Sequence, residues 1–504
     1  MNKKNIVKRS VAPLSRGAVS LWLTEGFKQY WPIILILLIS AFFRLYKISS
    51  YMEWLGDQGR DAIIMRDFLK HGNLFFIGPP TSVGNMYLGP WYYYLVAPFL
   101  LLFNFNPVGP SVLVALLGVL TTYLLYFVGK KWFNQSVGII SALLFAISPV
   151  AIKYNTFSWN PNVMPLFSLL FIYFFFTAIF DKKYNYFIFA SLAFIGCINS
   201  HYFALALLPF VGLYWFFTYK KEYWKPTLLA TAIFLISLTP QVLFDVKHQG
   251  QNSQAFKTFF TKRETTVSIK AYKAIPKFLP TLNEINTRLI YGKNTQVAPY
   301  LTAAFILFLI YIIYKFKNKY FLAILLWFIV GLTAFGIYKN HIYDHYYGFV
   351  LPAIFLTTAI LVNKTKYFGY IFLAIIISLS IIQNPLRYLP NNQLGVTNEI
   401  VQSIIKDSDN KPFNFALLAK MNYADPYLYF FDNSKLVDTH NQVTEQLYVV
   451  CEPFQIDCNP INNPEWAVAS FGWAKIDKQW QKNDIKIFKL VHNSLGIPQK
   501  GIKN

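Results

Sequence analysis

The length of its apolar runs restricts this chain more than any other feature. Blocks of about 17–22 mostly apolar residues recur along it, the length a helix needs to cross roughly 30 Å of hydrocarbon. Helices buried inside soluble domains are usually shorter, so a bundle of membrane-spanning helices is expected. Composition agrees: of 504 residues, 55% are hydrophobic and 14% charged, against about 25% charged in ordinary soluble domains. Spans are expected at 31–48, 110–128, 137–153, 162–180, 226–244, 298–314, 320–338, 346–362 and 367–383. The block 185–219 is too long for one crossing and divides near Ser200 and His201, which makes eleven spans.

The formal charge of +23 is carried by lysines in short clusters between the apolar blocks, with no nucleic-acid-binding motif. That distribution excludes a nucleic-acid partner and fits a basic membrane protein. Positive loops stay cytoplasmic. Lys130/Lys131, Lys182/Lys183, Lys220/Lys221 with Lys225, Lys315/Lys317/Lys319 and Lys364/Lys366 all fall on one side if segment 1–30 is cytoplasmic. The basic start lacks a signal-peptide cleavage layout, so 31–48 is read as a retained span. Abundant Lys, Asn, Ile and Phe, without long eukaryotic-style insertions, suggest a bacterial cytoplasmic membrane.

Three parts follow: the segment 1–30, a transmembrane domain at 31–383, and an extracytoplasmic α/β domain at 384–504. The last shows strand-like runs at 413–418, 446–450 and 485–490, and helical aromatic spacing over 425–432. Cys451 and Cys458 there are either a disulfide or two free thiols, whereas Cys197 lies in an apolar block. Two outer loops, about 49–109 and 245–297, are too long to be connectors. The first is aromatic enough to form interfacial helices, and the second is basic.

The sharpest chemical signal is Gly56-Asp57-Gln58-Gly59-Arg60-Asp61, just past the first span. Carboxylates at a membrane face cost free energy unless paired or used. One reading is a capping and salt-bridge cluster, with Asp57 capping a helix over 58–70. The other is a reaction centre.

These residues resemble the GT-C superfamily of membrane glycosyltransferases, particularly the protein O-mannosyltransferase and aminoarabinose transferase (ArnT-like) families. The resemblance rests on Asp57-Gln58, Arg60-Asp61 and Gly89-Pro90-Trp91-Tyr92-Tyr93-Tyr94. It continues through Ser158-Trp159-Asn160-Pro161-Asn162, His201-Tyr202-Phe203-Ala204, Gln241 to Asp245 with Lys247-His248, and Asp344-His345-Tyr346-Tyr347 with Pro352. Asn422-Tyr423-Ala424-Asp425 and Tyr427 resemble part of the small C-terminal domain of some members. The chain departs from the pattern in having Gln58 where a second acid stands, Tyr87-Leu88-Gly89 without charge before Pro90, and Asn160 and Asn162 near the fourth span. These departures remove the sequence support for a divalent metal, and no cofactor is required.

The resemblance implies transfer of a sugar from a polyprenyl phosphate to an extracytoplasmic acceptor (protein, lipid or glycan), with inversion. Asp57 would be the general base, and Arg60 and Asp61 its partners. Lys247, His248, His345, Tyr346 and Lys339 would stabilise the phosphate. Tyr92, Tyr93, Asn160, His201 and Tyr202 would line the substrate groove. Each has a plainer reading: Lys247 and Lys339 as interfacial anchors, His201 as a satisfied interfacial histidine, the tyrosines as an aromatic belt. An O-antigen polymerase or ligase is the nearest other enzyme, but the arginine pairs it would need are missing from 245–297. A lipid or sugar transporter would place ionisable groups at the midplane and in matching halves. Here they crowd one face.

Overall fold

The computed structural model describes residues 16–82, 85–261, 271–432, 434–437, 442–453 and 458–493. Among them, five helices are long and apolar enough to cross a membrane: Val108–Trp132, Asn160–Phe180, Lys221–Lys247, Ala298–Lys315 and Lys319–Ile337. Shorter apolar helices are Tyr30–Leu45, Trp91–Leu102, Gln135–Ile147, Tyr186–Ser200, Tyr202–Phe217, Leu351–Lys364 and Lys366–Ile382. Eleven of these twelve sit on the expected spans. Trp91–Leu102 is the exception: its 12 residues reach about 18 Å, too short to cross.

Local chemistry sets where these helices break. The long block divides where expected, because His201 takes an extended conformation (φ −167°) and ends the helix Tyr186–Ser200. The expected span 137–153 is instead two helices. Gln135–Ile147 stops at Ser148, and Pro149 opens a short second helix, Pro149–Tyr154, since proline has no N–H to continue the ladder but suits a first turn. The span expected from 346 begins later, at Leu351, because Asp344–Phe349 forms a 3₁₀ turn. That turn and the Ser148–Val163 stretch lie side by side and shape one end of the bundle.

One charge is fully buried inside the first span. The Arg44 guanidinium donates to Asn155 Oδ1 at 3.0 Å, to Ser40 Oγ at 3.0 Å, and to the carbonyls of Ala146 and Phe145 at 3.2 and 3.1 Å. An unpaired cation in hydrocarbon is costly. Here five neutral hydrogen bonds, counting the Ser40 carbonyl at 3.3 Å, share its charge instead. They lock the end of the first span to the last turn of the helix Gln135–Ile147 and to Asn155.

The C-terminal domain carries a four-stranded sheet of order β1-β2-β4-β3, with β1 Asn414–Leu418, β2 Gln446–Cys451, β3 Ala474–Lys482 and β4 Ile485–His492. β1 and β2 are parallel; β2/β4 and β4/β3 are antiparallel. β2 is buried throughout, and its side chains alternate as a strand requires. Tyr448 and Val450 pack under the helix Gln393–Asp407 with Ile400, Ile404 and Phe415, while Leu447 and Val449 join Leu418, Phe488 and Leu490 on the other face. Three strands are those expected. β3 was hidden because its lysine-rich, mostly exposed pattern is that of an edge strand. Cys451 and Cys458 are joined as a disulfide, which decides between the two readings of that pair.

Candidate functional site

The helix Gly56–His71 starts immediately beyond the first span. Its first turn is capped by Gln58, whose Oε1 accepts from Leu55 N at 3.1 Å, and by Asn422 of the C-terminal domain, whose Oδ1 accepts from Gly56 N at 2.8 Å. Asp57 therefore does not serve as the cap, because those two side chains have taken the orphan N–H groups. Its carboxylate pairs with Arg60 instead, Oδ1 to Nη1 at 2.7 Å.

Arg60 bridges both acids. It reaches Asp61 Oδ1 through Nη2 at 2.7 Å and Nε at 3.0 Å, and Tyr93 donates to the same oxygen at 2.9 Å. The two carboxylates differ in access: the Asp57 side chain is 38% exposed and that of Asp61 3%. Burial pushes the Asp61 carboxyl up to about 6, against the pull of Arg60. Burial also opposes the charge on Arg60, but the neighbouring Asp61 and Asp57 hold its guanidinium above the ordinary range. Asp61 is thus an internal anchor for Arg60, and Asp57 is the acid that a substrate can reach.

The C-terminal domain sits directly on this helix. A β-carbon on Gly56 would strike Tyr423, and one on Gly59 would strike the backbone of Asp425 and Pro426. Only glycine admits so close an approach at these two positions. Two turns further on, Arg66 donates to the Tyr429 carbonyl at 2.6 Å, pairs with Asp432 at 3.1 Å and lies over the Tyr429 ring. Asn422 and Tyr427 both donate to Glu452, at 2.7 and 2.9 Å.

A second group follows from the tyrosine helix. Tyr92 is bonded to Ser158 at 2.7 Å, beside Trp159, whose ring meets His345 at 4.4 Å. His345 lies 5.9 Å from the His201 ring, which contacts Tyr346 at 4.8 Å. Burial lowers His201 to about 4 and His345 to about 3, so both are neutral near pH 7, and His201 Nδ1 accepts from Phe203 N at 3.2 Å. Asn160 uses its amide to tie its own turn to the Ser200 carbonyl at 2.7 Å.

The nearest cations in this group come from residues sequence reasoning passed over. Arg288 and Lys293 grip Asp344 at 2.7 and 3.0 Å. Burial disfavours the Asp344 charge, yet Lys293 and Arg288 hold it below the usual carboxylate range. The signal in the sequence was Asp344 itself, the single acid of its turn and therefore in need of partners.

A third group surrounds Tyr202, which donates to the Tyr87 carbonyl at 2.6 Å and receives Gln241 at 3.3 Å. It borders a cavity of about 250 Å³ lined by Gly89, Asn199, Asn252 and Phe256. His248 stacks on Phe244 at 4.1 Å, and Phe244 meets Tyr87 at 5.8 Å. Lys247 and Lys339 are exposed. Lys339 follows Tyr338, whose ring lies 6.0 Å from Tyr346. The structure therefore unites Asp57, Arg60, Asp61 and Tyr93, joins His345, His201 and Tyr346 in one aromatic wall to which Tyr92 is tied through Ser158, sets Lys339 next to Tyr338 beside that wall, and leaves Lys247 and His248 with the group around Tyr87 and Tyr202. Among the described residues no three His, Cys, Asp or Glu side chains gather to hold a metal ion.

A family model described as dolichyl-phosphate-mannose-protein mannosyltransferase matches residues 88–244. Among solved structures, ArnT from Cupriavidus metallidurans bound to undecaprenyl phosphate is similar at a TM-score of 0.60 and 12% identity, covering 96% of this chain and 100% of that one. The chain has the GT-C fold. The GT-C oligosaccharyltransferase of Archaeoglobus fulgidus, in a complex with Zn and sulfate, is similar at a TM-score of 0.51 and 12% identity, over 94% of this chain and 74% of that one. Arabinofuranosyltransferase AftD from Mycobacteria, in an R1389S variant, also has a TM-score of 0.51 at 12% identity, over 92% of this chain and 41% of that one. No curated protein sequence matches the chain. The apolar helices and these GT-C neighbours make it a multi-pass membrane protein.

Proposed function

We propose that this GT-C protein is a glycosyltransferase that moves a sugar from a polyprenyl phosphate to an acceptor on the outer side of a bacterial cytoplasmic membrane. The observation that carries the reading is the contrast between two acids on one turn: Asp57 accessible, Asp61 buried, and Arg60 fixed between them. An accessible carboxylate beside a cation, just past the first span, suits a general base that meets both lipid donor and polar acceptor.

In the proposed step an acceptor hydroxyl attacks the anomeric carbon as Asp57 takes its proton. The bond from that carbon to the phosphate oxygen breaks on the opposite face, which inverts the centre. The electron pair leaves with the lipid phosphate. Groups that donate to a growing negative charge lower this barrier, and Tyr346, His345, His201, Arg288 and Lys293 are the candidates at the aromatic wall, with Lys339 beside it and Lys247 and His248 as further candidates near Tyr87. Tyr92, Tyr93, Asn160 and Tyr202 are assigned to the groove walls, largely by fixing its shape.

The test is transfer from a panel of radiolabelled polyprenyl-phosphate sugars, with membrane extract as acceptor, by wild-type and Asp57→Asn protein. Transfer abolished by the substitution in a folded protein supports the assignment. Undiminished transfer removes Asp57 from the base role.

A further inference from the structure

We propose that the cleft between the turns around residues 181–186 and 218–226 binds the head group of an anionic phospholipid. This site lies among the lysine clusters, remote in sequence from the acids of the first loop, and does not depend on the transfer reaction. The cleft has a volume of about 1110 Å³ and is bordered by Lys182, Lys183, Lys221 and Lys225, with Glu222 the single acid on its lining. None of the four lysines is held in a salt bridge among the described residues. Lys183 lies 5.8 Å over the Tyr186 ring.

The cleft is a built feature. Its lining is braced from beneath: Tyr184, which lines it, packs at 5.1 Å against the ring of Tyr223, only 1% exposed, which in turn meets Phe187 at 5.3 Å. Its far wall is apolar and open: Trp224 is 58% exposed and Leu229 50%, and both belong to the long apolar helix Lys221–Lys247. Beside them the Ser191 hydroxyl donates to the Ala230 carbonyl at 2.7 Å, fixing the spacing of the two helices that frame the cleft.

Cations at one end and an uncovered apolar helix face leading away from them describe an amphiphile with an anionic head. Basic pockets between membrane helices recognise phospholipid head groups in this way, each lysine acting as a point charge on phosphate. A soluble phosphate would satisfy the lysines but leave the apolar wall bare. Two other lysines of the same set of clusters are held closer: Lys319 donates to the Phe180 carbonyl at 3.3 Å, and Lys364 lies 4.0 Å over the Phe316 ring.

The experiment uses the full chain, purified in detergent and delipidated. Its thermal midpoint is followed on adding diphosphatidylglycerol, phosphatidylglycerol, phosphatidylcholine or inorganic phosphate. The two anionic lipids are expected to raise the midpoint, and phosphatidylcholine and phosphate to leave it unchanged. The K182Q/K183Q/K221Q/K225Q variant should lose the rise, the matching four-arginine variant should keep it, and K315Q/K317Q should keep it. An equal rise with phosphate alone overturns the lipid assignment. So does an equal loss in K315Q/K317Q, which would reveal only diffuse surface charge, or a rise that survives in the four-glutamine variant.

Discussion

Tyr93 donates its phenolic hydrogen to Oδ1 of Asp61 at 2.9 Å, the same oxygen that receives Arg60 twice. The helix Trp91–Leu102 is thereby fastened to the helix Gly56–His71 at the acid that orients Arg60. Asp61 Oδ2 is buried with no hydrogen-bond partner among the described residues, and the bonds that they make to this carboxylate all fall on Oδ1. Tyr93→Phe should destabilise the protein by about 1–3 kcal/mol, the cost of stripping a donor from a buried charged group. Thermal unfolding in detergent measures it, and an unchanged midpoint would show that the bond carries no weight.

Asp57→Asn and Asp61→Asn should separate chemistry from architecture. The first is expected to lower sugar transfer by about 10²–10⁴-fold, the range for loss of a general base, with the unfolding midpoint preserved. The second should shift the midpoint as well, because it alters the anchor of Arg60. Steady-state transfer rates set beside unfolding curves check both.

His201 and His345 supply a pH dependence. Their folded values, about 4 and about 3, lie below the ordinary 6.5. Between these limits the unfolded chain binds protons that the folded one refuses, so stability is fully present above about 6.5 and falls as pH drops toward 4 and then 3. Two such groups give a slope of roughly 2–3 kcal/mol per pH unit at its steepest. Unfolding midpoints from pH 7.5 to 4.5 should decline, and the decline should flatten in a His201→Gln/His345→Gln variant.

Arg288→Ala leaves Asp344, 8% exposed, with Lys293 as its remaining cation. Arg288 is itself part-exposed at 29%, so solvent screening reduces the penalty of a fully buried pair. A loss of about 1–3 kcal/mol is expected. Asp344→Asn in the Arg288→Ala background should cost less than the two changes summed, which a double-mutant cycle on unfolding midpoints will reveal.

Much of the architecture could be read from the chain because lipid imposes long apolar runs and lysines mark the turns between them. The acids at 57 and 61 and the arginine between them could be read as well, since their spacing of three and four positions puts neighbours on one helix face. Other features depended on partners distant in sequence. Arg288 and Asp344 meet across 56 positions and Asn422 reaches Gly56 across 366; a lone acid at 344 announces that it needs a partner, but nothing local says which. Asp57 reads as a cap in isolation only because Gln58 and Asn422, which supplant it, are recognised once the domains are seen together. β3 escaped because an edge strand exposed to water needs few apolar residues.

The two bare glycines beneath Tyr423 and Pro426 have a consequence for how this protein can be rebuilt. With no side chains at 56 and 59, the Tyr423 ring and the backbone at Asp425 and Pro426 of the C-terminal domain press directly on the helix beside Asp57 and Arg60. If Asp57 is the proposed base, that domain is part of the site's wall rather than a module appended to it. A chimaera that exchanges the domain for another must therefore bring a segment as flat as 422–426 to the same helix. A graft that ignores this contact will leave the face of the helix at Gly56 and Gly59 open to water however well each half folds.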